Sequence, residues 1–98
     1  MTTGDLAKIS RALADPTRMR IYEMIATKHD TFCGEFVEKF ELSPATVSHH
    51  LKVLAGADLI EMRREGQFIY SAPKIETMDQ YTQALARLAR VGAHAGRR

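Results

Sequence analysis

The side chains best suited to chemistry cluster in one short stretch, Leu42-Ser-Pro-Ala-Thr-Val-Ser-His-His-Leu-Lys-Val-Leu54. Ser43 has the hydroxyl that caps a helix N-terminus, and Pro44 suits the first helical position, where no amide is needed. Val47, Leu51 and Leu54 then fall at i, i+4 and i+7 as a narrow apolar stripe. At about 100° per residue, Ala45, Thr46, His49, Lys52 and Val53 take the opposite arc, and Ser48 sits at its edge. A helix anchored by aliphatics, showing water small hydrogen-bonding groups and one lysine, fits the major groove of a duplex better than a second protein layer. Thr46 is near enough to the helix start to meet a phosphate oxygen, assisted by the helix dipole. His49 is central and expected to touch DNA, Ser48 can meet a base edge or a phosphate, and Lys52 suits a phosphate. On its own, the stretch reads equally well as an ordinary amphipathic surface helix.

A second cluster follows in Leu59-Ile-Glu-Met-Arg-Arg-Glu-Gly-Gln-Phe-Ile-Tyr70. Ile60 and Met62 alternate with charges, Phe68 and Tyr70 alternate in turn, and Glu65-Gly66 suits a tight turn between two strands. The tip carries Arg63, Arg64 and Gln67, as a ribbon over a phosphate backbone or minor groove would need. The alternative is a solvated hairpin whose arginines keep a sheet edge soluble.

Other reactive side chains are isolated. Cys33 can be an inert, partly buried thiol, a redox-sensitive thiol favoured by a nearby helix start, or one ligand of an atypical metal site. His49 and His50 are adjacent, point about 100° apart on a helix and cannot chelate one ion together. His50 borders the apolar stripe and is expected to support the turn by a hydrogen bond, while His29 and His94 are expected in solvent. Asp5, Asp15, Asp30 and Asp58 fall in or near caps and turns. There is no GxSxG elbow, phosphate loop, paired carboxylate set or complete metal set, so neither an enzyme nor a cofactor is expected.

The elements that must position these groups are mostly helical. Leu6, Ile9 and Leu13 mark a first helix, interrupted at Asp15-Pro16, which in turn caps and opens a second one carrying Met19, Ile21, Tyr22 and Ile25. Lys28-His29-Asp30 is a polar break, and Phe32, Phe36, Val37 and Phe40 give a third helix to about Glu41. Ala55-Gly56-Ala57 ends the fourth, glycine being a common helix stop. A last helix runs from Ile75 to Val91, with Ile75, Met78, Tyr81, Leu85, Leu88 and Ala89 along one side, before a small-residue basic tail over 92–98. That stripe is expected to pair with the first helix and with the same helix of a second subunit, the alternative being packing within one subunit; Leu6, Ile9, Leu13, Met78, Tyr81, Leu85 and Leu88 are the candidate dimer contact.

Composition sets outer limits. Ninety-eight residues make one domain, and 45% hydrophobic with 27% charged residues is ordinary for a globular chain. A net charge of +2 permits nucleic-acid binding without arguing for it. One cysteine, no apolar run long enough to span a bilayer and no signal-peptide pattern lead to the expectation of a cytoplasmic protein without a membrane partner.

Taken together, Leu13-Ala-Asp-Pro-Thr-Arg-Met-Arg-Ile21, Leu42-Ser-x-x-Thr-Val-Ser-His-His-Leu-Lys-Val-Leu54 and Arg63-Arg-Glu-Gly-Gln-Phe-Ile-Tyr70 resemble, in order and spacing, the ArsR-type (ArsR/SmtB) winged-helix repressors over about residues 5–90. The resemblance implies a mainly α fold of five helices with a small β-hairpin wing, dimeric through the first and last helices. It also implies binding to an inverted repeat in double-stranded DNA, repression of transcription, and release by a signal. The expected organisation is one winged helix-turn-helix domain over 1–98, with the helix-turn-helix at about 32–56, the wing at about 59–71 and the dimerisation helix at about 75–91. Arg18 and Arg20 match the family's Asp-Pro-Thr-Arg-x-Arg signature, and the structural role is favoured for both, bonding to helix ends or to the partner subunit.

The chain departs from the family at its metal boxes. Metal-sensing members carry a Cys-x-Cys or related box near the start of the third helix, where this chain has Thr31-Phe-Cys-Gly-Glu35. Soft thiophilic ions need two or three thiolates, which Cys33 alone does not supply within one subunit. Another group places Asp-x-His and His-x-x-Glu or His-x-x-His on the last helix, where this chain has Asp79-Gln-Tyr81 and a lone His94. No family metal site is expected, which leaves a small molecule, a protein antagonist or the Cys33 thiol as the signal. A winged-helix module that binds protein rather than DNA is the alternative of a different class.

Overall fold

A computed structural model describes residues 1–96. Three of its five helices begin where a short polar side chain accepts one of the first free amides. Helix α1 (Thr3–Leu13) opens with a reciprocal capping box between Thr2 and Asp5, and α2 (Pro16–Lys28) opens on the Asp15 carboxylate. His29 closes α2 in the left-handed conformation. A two-residue strand β1 (Thr31–Phe32) leads straight into α3 (Cys33–Phe40), whose Glu35 reaches back to accept from the Phe32 amide at 2.9 Å. Ser43 caps α4 (Pro44–Gly56), strands β2 (Ile60–Glu65) and β3 (Phe68–Pro73) form the wing, and α5 (Ile75–Ala95) closes the chain.

The architecture is five helices with a small antiparallel hairpin, as the sequence predicts, with one strand added. The sheet has the order β1-β3-β2, with Thr31 opposite Ser71 and Phe32 opposite Tyr70. Residues assigned by sequence to the start of the helix-turn-helix therefore also brace the wing.

Two boundaries differ from the sequence reading. The hairpin register pairs Glu65 with Phe68, so the turn is Gly66-Gln67 rather than Glu65-Gly66. Gly66 has φ 62°, as the first central position of a type II′ turn requires. Helix α4 ends at Gly56, where the sequence places its end, and Asp58 just beyond takes the left-handed conformation (φ 63°), its carboxylate accepting from Lys74 and from the Thr77 hydroxyl. Finally, α5 continues past Val91 to Ala95, so residues 92–95 of the basic tail are helical, while residues 97 and 98 lie outside the described residues.

The core lies where α1, α2, α3, α4 and the base of the wing converge, on Ile21, Ile25, Phe36, Val47, Leu51, Leu54 and Leu59, each fully buried. At about 1.5–3 kcal/mol per large aliphatic side chain removed from water, this cluster is the main support of α4. Helix α5 is different. Its first turns rest Met78 and Tyr81 against the core, and the Tyr81 hydroxyl meets Ser10 of α1 at 2.8 Å. Beyond that point the helix runs out unsupported, leaving Leu85, Leu88 and Val91 at 40%, 59% and 60% exposure. The molecule is accordingly 58 Å long but only 23 Å and 22 Å across, with a radius of gyration of 15.6 Å against about 13 Å for a compact chain of this length.

Candidate nucleic-acid interface

Helix α4 buries Val47, Leu51 and Leu54 completely and turns Ala45, Thr46, His49 and Lys52 to solvent, with Ser48 half-buried at the margin. Its N-terminus is pre-organised. The Ser43 oxygen accepts from the Thr46 amide at 3.1 Å, and the Ser43 hydroxyl donates to Thr46 Oγ1 at 2.9 Å. Because Thr46 Oγ1 already receives that proton, its own hydroxyl hydrogen is left to donate outward, toward an acceptor such as a phosphate oxygen. No ion pair engages Lys52 among the described residues.

His50 faces inward, as expected from its place beside the apolar stripe. Arg18 Nη1 donates to its Nδ1 at 3.2 Å, while Arg18 Nε and Nη2 donate to the carbonyls of Ala12 and Arg11 at the end of α1. Arginine can only donate, so His50 accepts at Nδ1 and carries its proton on Nε2. Burial pulls this ring below the ordinary histidine range, with Arg18 and His49 adding to the shift and Asp15 opposing it. Arg18 is thus a tie between α1, α2 and α4, whereas Arg20 stays exposed on α2.

In the wing the structure separates two arginines that sequence places together. Arg63 donates to both carboxylate oxygens of Asp30 at 2.9 and 3.1 Å and to Glu65 at 3.1 Å, and its guanidinium lies over the Tyr70 ring at 4.8 Å from the centroid. These contacts raise the Arg63 pKa and hold the Asp30 carboxyl below its usual range. The expectation that Arg63 stands free at the tip is therefore corrected: it fastens the wing to the loop between α2 and β1. Arg64 and Gln67 remain exposed, and Arg64 has no ion-pair partner among the described residues. Asp30 is the contributor that sequence reading missed, because 33 residues separate it from its partner. The wing base is further packed by Phe32, whose ring meets Phe68 edge-on at 5.2 Å and Tyr70 at 5.8 Å.

Of the residues expected at a dimer contact, Ile9 is 2% exposed within its own chain and leaves the set, its side chain being spent on the core. Leu6, Leu13, Met78 and Tyr81 are half-buried, and Leu85 and Leu88 lie on the open face of α5. Cys33 begins α3 but is half-buried, and burial pushes its thiol up, opposite to the direction a reactive thiolate needs. Among the described residues no three His, Cys, Asp or Glu side chains come together in a way that could hold a metal ion. No helix among them is long and apolar enough to cross a membrane.

A helix-turn-helix domain family matches residues 13–63, from the end of α1 into the wing. The transcriptional repressor SdpR of Bacillus subtilis is 39% identical over 62 residues, which make up 63% of this chain and 68% of that protein. An ArsR-like transcriptional regulator from Rhodococcus sp. RHA1 superposes with a TM-score of 0.82 at 21% identity, covering 94% of this chain and 86% of that one. The chain belongs to the ArsR/SmtB family. ArsR/SmtB proteins are DNA-binding transcriptional regulators. A further relative in fold, the homodimeric winged helix-turn-helix domain of a possible ArsR-family regulator from Mycobacterium bovis, has a TM-score of 0.71 at 22% identity and covers 97% of this ArsR/SmtB chain and 83% of its own. The chain spans about two thirds of the length of the curated relatives it matches.

Proposed function

We propose that this ArsR/SmtB chain acts as a cytoplasmic, homodimeric, sequence-specific repressor on an inverted-repeat operator. The observation that carries the reading is α4: a helix held by three fully buried aliphatics, capped by Ser43, with Thr46, His49 and Lys52 exposed on the outward arc. His49 and Ser48 read base edges, Ser43, Ala45, Thr46 and Lys52 approach the backbone and groove wall, and Arg64 and Gln67 at the wing tip reach the adjoining backbone or minor groove. Two copies joined along α5 and α1 set two reading helices about 34 Å apart along one face of the duplex and block polymerase by occupancy. The exposed Leu85 and Leu88 support that joining, as does the homodimeric relative in fold.

The releasing signal is read as neither of the family's metal boxes, since the donor sets for them are missing from the sequence, and as a weaker case for Cys33, whose thiol burial disfavours. A small molecule or a protein antagonist remains. Any such ligand must bind the DNA-competent and incompetent forms with different affinity. The test is a titration on DNA upstream of the protein's own gene, with reduced protein, mildly oxidised protein, and added zinc or arsenite. Tight binding that weakens steeply with salt and ignores all three treatments is the expected result. Loss with oxidation or metal would overturn the reading of the signal, and salt-insensitive association with a protein instead of DNA would overturn the function.

A further inference from the structure

One concavity among the described residues lies away from both the reading helix and the α5 face. It is an open groove of about 580 Å³ between α2 and α3, within the size range of small-molecule sites. Its apolar lining is Met24 and Phe40, both partly buried against the core. Methionine and phenylalanine together give an adaptable surface for a hydrocarbon or aromatic body. The rim is charged in a way that selects an anion. Arg20, Lys28 and Lys39 face a single lining carboxylate, Glu23. Lys28 is already paired with Glu35, which leaves Arg20 and Lys39, exposed and without ion-pair partners among the described residues, against Glu23. Within this lining two unpaired cations stand against one carboxylate beside an apolar floor, and Glu38 lies with Lys39 and Met24 on the adjoining concavity. Thr27 adds a hydroxyl whose proton goes to the Glu23 carbonyl at 2.8 Å, so it can only accept from an occupant.

We propose that the α2–α3 groove is a binding site for a small organic monoanion, a free carboxylate with an apolar body, the carboxylate between Arg20 and Lys39 and the body on Met24 and Phe40. Helix α2 is rooted in the core through Ile21, Tyr22 and Ile25, whereas α3 carries the turn that leads into α4. An occupant wedged between them therefore meets a fixed wall on one side and the mount of the reading helix on the other.

The experiment is calorimetric titration of the full chain, without DNA, with sodium decanoate below its micellar concentration, using decanol and decyltrimethylammonium as matched neutral and cationic probes. One decanoate per chain is expected, with preference over both comparators. The variant Arg20→Gln/Lys39→Gln changes only exposed side chains and should weaken decanoate about fivefold, as two partly exposed ion pairs would. Amide shifts in an NMR titration should centre on Met24, Thr27 and Phe40. No decanoate binding, equal binding of the cationic probe, or binding unaltered in the double variant each overturns the site. So does a double variant that flattens the salt dependence of DNA binding while leaving decanoate untouched, for those cations would then serve the phosphate backbone. Because the titration contains no DNA, failure of the operator-binding reading leaves this result standing.

Discussion

Replacing Arg64 by alanine should flatten the salt dependence of DNA binding, and replacing Arg63 should not. The difference follows from what each guanidinium touches. Arg63 is held by Asp30 and Glu65 and covers Tyr70, so its charge is already compensated by neighbouring carboxylates. Arg64 projects from β2 with no ion-pair partner among the described residues. Each phosphate neutralised on duplex DNA contributes about −0.9 to the slope of log affinity against log salt. One Arg64 per subunit, counted twice in a dimer, therefore predicts a slope shallower by about 1.8 in Arg64→Ala. Between 50 mM and 200 mM salt, that slope change shrinks the defect of the variant by about tenfold. Arg63→Ala should keep the wild-type slope to within about 0.5 and should instead loosen the wing, seen as faster amide exchange at β1 and β3. The assay is fluorescence anisotropy on operator-containing DNA at four or more salt concentrations. Equal slope losses for the two variants, or none for Arg64→Ala, would refute the division of labour.

Four further outcomes can be checked. His49→Ala should lower affinity for operator DNA more than for random DNA, measured by competition; equal loss on both would remove His49 as a base reader. Leu85→Glu/Leu88→Glu should leave the core intact while shifting the chain to a monomer in light scattering, because both side chains are exposed in the single chain. Thr31 and Ser71 are fully buried with hydroxyls that have no hydrogen-bond partner among the described residues, so Thr31→Val should raise urea stability by about 1 kcal/mol, and a loss of that size would show that the hydroxyl is satisfied. The folded His50 pKa lies below the unfolded value of about 6.5, so the unfolded chain binds more protons as pH falls. The neutral ring's contribution is complete above that value and is lost as pH drops through the folded pKa. His50→Gln should therefore melt with a weaker acid dependence than the wild type below about pH 6.5.

The parts of this fold that sequence makes legible are the local ones. Ser43-Pro44 and Asp15-Pro16 announce helix starts because cap and amide are three residues apart, and the spacing of Val47, Leu51 and Leu54 is a property of one helix. Gly66 marks the hairpin because its φ demands it, although the turn lies one residue later than its composition suggests. What escapes is set by distant partners. Strand β1 has only two residues and exists because β3 pairs with it, from 38 to 40 positions further on. Arg63 reads as a phosphate ligand until Asp30 is placed beside it, and Ile9 reads as an interface residue because a helical stripe does not say which of its members the core takes. Arg18 is intermediate: its signature was visible, but the bonds to Ala12, Arg11 and His50 depend on how α1 and α4 meet.

The length of α5 carries a further consequence. Its last three turns extend beyond the core with their leucines exposed, and an isolated helical segment that short is marginal in water. With the dimer as proposed, the order of these turns and the ability to span two half-sites arise in the same bimolecular event. Free-protein abundance then becomes a control variable: below the self-association constant the chains are frayed monomers, and occupancy of the promoter climbs with the square of their concentration. Silencing would switch on over a narrow range of protein dose, and halving the supply would relieve it by up to about fourfold without any ligand.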